Sequence, residues 1–216
     1  MAIKIENLSK SYDGRQVLEN LNMELTEGQI TCIMAPSGKG KTTLLRILIG
    51  LEQADRGKVT GIEGKDISVV FQEDRLCENL NVLSNIRLVQ KEKTEIREGL
   101  EAVGLWDCCH QPVRELSGGM KRRVAILRAL YAKWDILFLD EPFKGLDADT
   151  RRLVAADTRK KSAGKTVVLI THEKEDISLM GVRQILTIDT GKSAAGSFCG
   201  CLATKITDRR NTDKNE

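Results

Sequence analysis

Aromatic residues are scarce, with Phe, Trp and Tyr together making up 4% of the 216 residues, and the formal net charge is only +3. No basic face interleaved with stacking side chains can be drawn from this chain, which argues against direct nucleic-acid binding. Long apolar runs are missing too. A bilayer span needs about 18 or more consecutive apolar residues, whereas the longest candidates, such as the run 167–170, are strand-sized. The opening MAIKIENLSK lacks an apolar signal-peptide core, so the expectation is a cytosolic chain that reaches a membrane only through a partner. The six cysteines, at positions 32, 77, 108, 109, 199 and 201, form no CxxC pair and no disulfide framework, and reduced thiols are expected. Cys108-Cys109-His110 comes nearest to a metal cluster, yet adjacent residues rarely point at one ion, so an ordinary loop is expected there.

What the chain does have is the stretch 33–50, IMAPSGKGKTTLLRILIG. The apolar run 30–34 reads as a strand, 36–40 as a loop of small residues, and 42–49 as a helix that Gly50 closes. A phosphate-binding loop requires that context, together with Gly, four residues and Gly-Lys-Ser/Thr, so that backbone N–H groups cradle phosphates at a positive helix N-terminus. Gly40-Lys41-Thr42 match. Lys41 is assigned to the β- and γ-phosphates and the Thr42 hydroxyl to Mg²⁺, and nucleotide binding follows. Ala35 stands where the pattern has its first Gly; if positive φ were required there, the methyl group would cost roughly 1–2 kcal/mol.

Upstream, segments 3–10 and 17–25 alternate apolar and polar residues about a turn at Asp13-Gly14, which predicts antiparallel strands, with Tyr12 beside the turn. Downstream, strands are predicted at 58–62 and 67–71, with Gln72 directly after. Val82, Ile86 and Val89 fall at helical spacing, a second helix starts near Thr94 and stops at Gly104, and 73–131 reads as a helical insertion. Leu116-Ser117-Gly118-Gly119 precedes an amphipathic helix, with Met120, Val124, Leu127 and Tyr131 on one face and Lys121, Arg122 and Arg128 outside it. The unbroken apolar run 136–139 predicts a strand buried on both faces. It delivers Asp140 and Glu141 to the carboxyl edge of the sheet, where ligands bind in such folds. Asp147 is placed to cap a helix running to 163, strand 166–170 brings Thr171-His172-Glu173 to the same edge, and helix 174–180 and strand 184–189 follow. The tail 206–216 has nothing to bury and is expected to be disordered. The predicted fold is α/β: a P-loop NTPase with a parallel-sheet core, an N-terminal antiparallel β subdomain and an inserted helical subdomain.

The order P-loop, Gln72, Leu116-Ser117-Gly118-Gly119, Asp140-Glu141, His172 resembles the ATP-binding-cassette (ABC) family of transporter ATPases over most of the chain, as a single domain at 1–205. The resemblance implies that Tyr12 stacks on adenine and that Ser37, Gly38, Lys39, Gly40, Lys41, Thr42 and Thr43 hold the phosphates of ATP. It implies that Gln72 reaches Mg²⁺ or the attacking water, that Asp140 holds Mg²⁺, that Glu141 is the general base and that His172 senses the γ-phosphate. Ser117, Gly118 and Gly119 would grip the ATP of a second subunit, and Asp147 would lie on the loop crossing to it. The implied unit is therefore a dimer, homodimeric or with another cassette, seated on the inner face of the membrane through an integral permease and served indirectly by a solute-binding protein. Phe71-Gln72-Glu73-Asp74-Arg75-Leu76 and Asn81-Val82-Leu83-Ser84-Asn85 are similar to importers of nitrate, sulfonate and taurine, which points to import of a small anionic or organic solute. Met120 replaces the usual Gln of the signature. With Ala35, it leaves open the alternative of a slow or non-hydrolysing, ATP-gated regulatory cassette.

Overall fold

The computed structural model describes residues 2–35 and 38–188, together with the backbone of Ala203–Lys205. Strand β1 (Ala2–Tyr12) and strand β2 (Arg15–Thr26) pair antiparallel. The joining turn, Asp13-Gly14, takes φ +48° and +75°, the left-handed geometry that matches the twist of a hairpin. Alternation puts Ile3, Ile5, Leu8, Leu21, Met23 and Leu25 on the buried face. Strand β3 (Ile30–Met34) then enters the central sheet, and helix α1 (Lys41–Leu48) leaves its carboxyl end. Strand β4 (Arg56–Thr60) joins the free edge of β1, completing a three-stranded antiparallel sheet in the order β2-β1-β4.

Strand β5 (Ile67–Val70) leads into helices α2 (Val82–Arg87) and α3 (Lys93–Ala102), a 3-10 turn at Val113–Glu115, and helix α4 (Gly118–Tyr131). The buried amide of Asn85 ties this region together, accepting from the N–H of Cys77 at 3.0 Å and donating to the carbonyls of Cys77 and Asn81 at 3.0 and 3.1 Å. Strand β6 (Ile136–Asp140), helix α5 (Ala148–Lys161), strand β7 (Thr166–Ile170), helix α6 (Lys174–Met180), strand β8 (Gln184–Thr187) and strand β9 (Ala203–Lys205) complete the described chain. Asp147 caps α5, its carboxylate accepting from the N–H of Thr150 at 2.9 Å.

The central sheet runs β5-β6-β7-β3-β8-β9, parallel except for β9. Every residue of β6 and β7 is buried, as unbroken apolar runs require in a sheet covered on both faces. The alternating side chains sort into two cores. Ile136, Phe138, Val168 and Ile170 join α1 and the antiparallel sheet on one face, while Leu137, Leu139, Val167 and Leu169 join α4, α5 and α6 on the other. Because β6, β7 and β3 are neighbours, the loops after their carboxyl ends converge.

Three expectations need correction. Strand β4 begins and ends earlier than predicted, at Arg56–Thr60, and β9 was not foreseen. Arg122, predicted on the outer face of α4, is 4% exposed. That helix packs against β5 and α5 as well as α2, so apolar residues cover most of its circumference and the side bearing Arg122, Ile126 and Ala129 also faces inward. Ser37 and the tail 206–216, where disorder was expected, lie outside the described residues. No helix among the described residues is long and apolar enough to cross a membrane.

Candidate functional site

Helix α1 starts at Gly40, which has φ +80° and provides no side-chain cap. The N–H groups of the first turn of a helix have no partner within it, so an uncapped start leaves them for an anion. A β-carbon on Gly40 would stand 2.7 Å from Leu18 Cδ2 and 3.0 Å from the Val17 carbonyl; only glycine serves there. Ala35 is not among the described residues with positive φ, so the methyl group costs no backbone strain. Its carbonyl accepts from Lys41 Nζ at 2.5 Å, which folds the lysine back over the loop.

A cavity of about 270 Å³ opens over this helix start. It is lined by Gly38, Gly40, Lys41, Thr42 and Thr43 of the loop and helix start together with Gln72, Asp140, Glu141 and His172, and by Val17 and Lys144. The predicted P-loop, glutamine, acidic and histidine residues therefore meet in one place. Lys39, Ser117, Gly118, Gly119 and Asp147 do not line it. Ser117 instead caps α4, accepting from the N–H of Met120 at 3.3 Å, and Gly119 lies against Leu146 and Gly145. Tyr12 also stands outside the cavity, 40% exposed, with its hydroxyl on Glu52 and Lys10 Nζ 5.4 Å from its ring. A larger hollow of about 680 Å³, lined by Arg159, Lys165 and Arg183 among others, lies at the amino ends of β3 and β7, with no carboxylate among its described lining residues.

Glu141 is 6% exposed and adopts φ +46°, a region that costs an ordinary residue about 1–2 kcal/mol. The surroundings hold it there. Its N–H donates to the Ile170 carbonyl at 2.8 Å, and its carbonyl accepts from Arg122 Nη2 at 2.8 Å. Its Oε1 lies 2.7 Å from His172 Nδ1 and 4.0 Å from Lys41 Nζ, and its Oε2 accepts from Thr171 Oγ1 at 3.1 Å. His172 stands between two carboxylates, its Nε2 lying 3.2 Å from Glu173 Oε1, and a ring nitrogen that carries its proton donates to the carboxylate it faces. Burial, and secondarily the Glu141 charge, pushes the Asp140 carboxyl above its ordinary range, with Lys41, Arg122 and Lys144 opposing.

Arg122 is the residue that charge patterning missed. Its guanidinium also donates to the Phe71 carbonyl at 2.5 Å, the Asp140 carbonyl at 3.2 Å and Asp74 at 3.1 Å. It thereby pins the backbone just before Gln72 to the backbone carrying both acids. The spacing Arg122, Ile126, Ala129 was the available signal, since it repeats an inward helical face.

The cavity suits a triphosphate with Mg²⁺. Its candidate donors, the Thr42 hydroxyl, the Gln72 amide and the Asp140 carboxyl, are all oxygens, the ligand type that Mg²⁺ takes. No group of three or more His, Cys, Asp or Glu that could hold a metal ion is found among the described residues.

The family model described as "ABC transporter" matches residues 18–144. The chain belongs to that family. Among curated ABC relatives, it is 34% identical over 214 residues to the spermidine/putrescine import ATP-binding protein PotA of Spiroplasma citri, covering 90% of this chain and 61% of the relative. It is 37% identical over 198 residues to the aliphatic sulfonates import ATP-binding protein SsuB of Delftia acidovorans, covering 89% and 82%. The chain thus spans less than two thirds of the first of these relatives and most of the second. Among solved structures, the dimeric MJ0796, a bacterial ABC transporter cassette, superposes with TM-score 0.73 at 29% identity over 86% of this chain and 93% of that one. The ABC cassette fold, with its parallel sheet, antiparallel N-terminal sheet and helices, is therefore the fold of this chain.

Proposed function

We propose that this chain is the ATP-hydrolysing subunit of an ABC importer. The observation that carries the reading is the single cavity in which Lys41, Thr42, Gln72, Asp140, Glu141 and His172 meet above the uncapped start of α1. Lys41 and the first-turn N–H groups bind the β- and γ-phosphates, and Ser37, Gly38, Lys39, Gly40 and Thr43 complete the loop around them. Thr42, Asp140 and Gln72 hold Mg²⁺. When bound, the ion neutralises charge on the transferring phosphoryl group.

Glu141 takes the proton of the attacking water as general base. The lysine and histidine on its Oε1 side keep it aimed at the cavity, and His172 reads the γ-phosphate from the same position. Tyr12 stacks on the base of the nucleotide at the edge of the site.

Ser117, Gly118 and Gly119 lie outside the cavity at the capped start of α4. They supply the second half of an ATP site across a head-to-tail dimer, homodimeric or with another cassette, and Asp147 contacts the facing copy. Dimeric structures of the similar cassette MJ0796, one of them bound to ADP and Pi, support that arrangement. Both curated relatives described above carry import in their names, which supports an importer of a small solute working through a separate permease on the cytoplasmic side of a membrane. The solute class stays at that level, because those names span a polyamine and a sulfonate.

Phosphate release from Mg·ATP by the purified chain tests the reading. Turnover that disappears in Lys41→Ala together with ATP binding is expected. ATP affinity retained in Lys41→Ala would overturn the assignment of the loop.

A further inference from the structure

Thr171 follows β7, and its hydroxyl is buried between two carboxyl groups on separate elements. Oγ1 lies 3.1 Å from Glu141 Oε2 and 3.1 Å from Asp176 Oδ2, and it accepts from the N–H of Glu173 at 3.1 Å. A hydroxyl has one proton to give. Both carboxyl contacts are hydrogen bonds only when one of the two carboxyls carries a proton of its own.

Asp176 is the one suited to that state. It is 1% exposed, and its Oδ1 has no hydrogen-bond partner. Arg151 Nη1 stands 3.8 Å away, beyond hydrogen-bond reach, and is engaged by Glu175 at 3.0 Å. Burial raises the Asp176 carboxyl above its ordinary range; Glu141 and Glu173 add to the rise, and Arg151 and Thr171 oppose it. Glu141, by contrast, faces the cations or proton donors Lys41 and His172. With its proton on Oδ2, Asp176 donates to Thr171 Oγ1, and the single hydroxyl proton of Thr171 is directed to Glu141.

We infer that Thr171 and Asp176 are positioning residues for Glu141, the buried Asp176 carboxyl aiming the Thr171 hydroxyl at Oε2 of the base while His172 holds Oε1. The inference rests on the reading of Glu141 as general base. It gives the carboxylate one directional bond on each oxygen, which fixes its plane towards the cavity. Neither residue touches the cavity itself, so their effect falls on the chemical step and leaves nucleotide binding alone.

Two pairs of variants test this in the full chain: Thr171→Val against Thr171→Ser, and Asp176→Leu against Asp176→Asn. Serine keeps the hydroxyl, and asparagine keeps an N–H donor to Oγ1 without needing a proton. The readouts are phosphate release over a range of ATP concentrations, affinity for a fluorescent ATP analogue, and the thermal midpoint. Losing one hydrogen bond to a charged group corresponds to a rate loss of roughly tenfold or more. That loss is expected in kcat for Thr171→Val and Asp176→Leu, with KM and affinity unchanged, and with serine and asparagine close to the parent. The inference is overturned if Thr171→Val keeps the parent kcat, if serine falls as far as valine, if asparagine falls as far as leucine, or if the loss appears in KM. Should Asp176→Leu fail to fold, the threonine pair and Asp176→Asn still decide. Glu141→Gln, run alongside, separates the two claims: parent turnover in that variant removes the base and the inference together, whereas an inactive Glu141→Gln beside an active Thr171→Val removes only the inference.

Discussion

Arg122 donates a 2.8 Å hydrogen bond from Nη2 to the backbone carbonyl of Glu141, tying a cation at the second turn of α4 to the left-handed residue at the end of β6. The same guanidinium reaches Phe71, Asp74 and the carbonyl of Asp140. One buried side chain thus joins the segment before Gln72, the helix that follows the Ser-Gly-Gly element and the acidic strand end.

Removing that cation leaves the carbonyls of Phe71, Asp140 and Glu141 without their donor and Asp74 without its partner. Arg122→Ala should destabilise the chain by about 3 kcal/mol, the lower end of the cost of breaking a buried charge pair, because the Asp74 side chain keeps 25% of its exposure. Urea unfolding measures this, and a variant as stable as the parent would remove Arg122 from its bridging role. Lysine cannot reproduce the planar fork, so Arg122→Lys should recover only part of the loss.

Asp140 carries a stability consequence of its own. Its native carboxyl titrates above the ordinary range because it is buried. A carboxyl raised in this way contributes stability that is fully present below the ordinary carboxylate range and lost as pH rises through the native value. At neutral pH the charged group therefore weakens the nucleotide-free fold, and Asp140→Asn should raise the thermal midpoint there while abolishing Mg²⁺-dependent ATP binding. The gain should shrink as the pH is lowered into the acidic range. A midpoint that falls at neutral pH, or a gain that grows on acidification, would contradict the assignment.

The exposed ring of Tyr12, with its hydroxyl on Glu52, predicts a split between two substitutions. Stacking on a base is worth roughly 1–3 kcal/mol, so Tyr12→Ala should weaken ATP binding by that amount, whereas Tyr12→Phe, which keeps the ring, should bind as the parent does. Titration with a fluorescent ATP analogue distinguishes them. Equal affinities in all three proteins would take Tyr12 out of the site.

Much of this was legible in the residues because the signals were local. The apolar runs behind β3, β6 and β7 named three strands, that of β6 as buried on both faces, and Gly40-Lys41-Thr42, Asp140-Glu141 and His172 sat beyond the carboxyl ends of those runs. Neighbouring strands then brought them together. The unread part depends on contacts between distant segments. Arg122 was assigned outward because charge usually marks the wet face of a helix, yet α4 has packing partners around most of its circumference. The positive φ of Glu141 leaves no trace in composition, and the Thr171 hydroxyl gains its meaning only from carboxyls 30 residues before it and five after it.

The central claim, that Glu141 is the base of an ATP-hydrolysing site, meets its most direct test in single-turnover phosphate release by Glu141→Gln. Glutamine keeps the size of the side chain but cannot accept the proton of water. General-base catalysis contributes about 10²–10⁴-fold, so release should slow by that factor while the affinity for ATP stays at the parent value. Phosphate release at the parent rate, with ATP bound equally well, would contradict the claim.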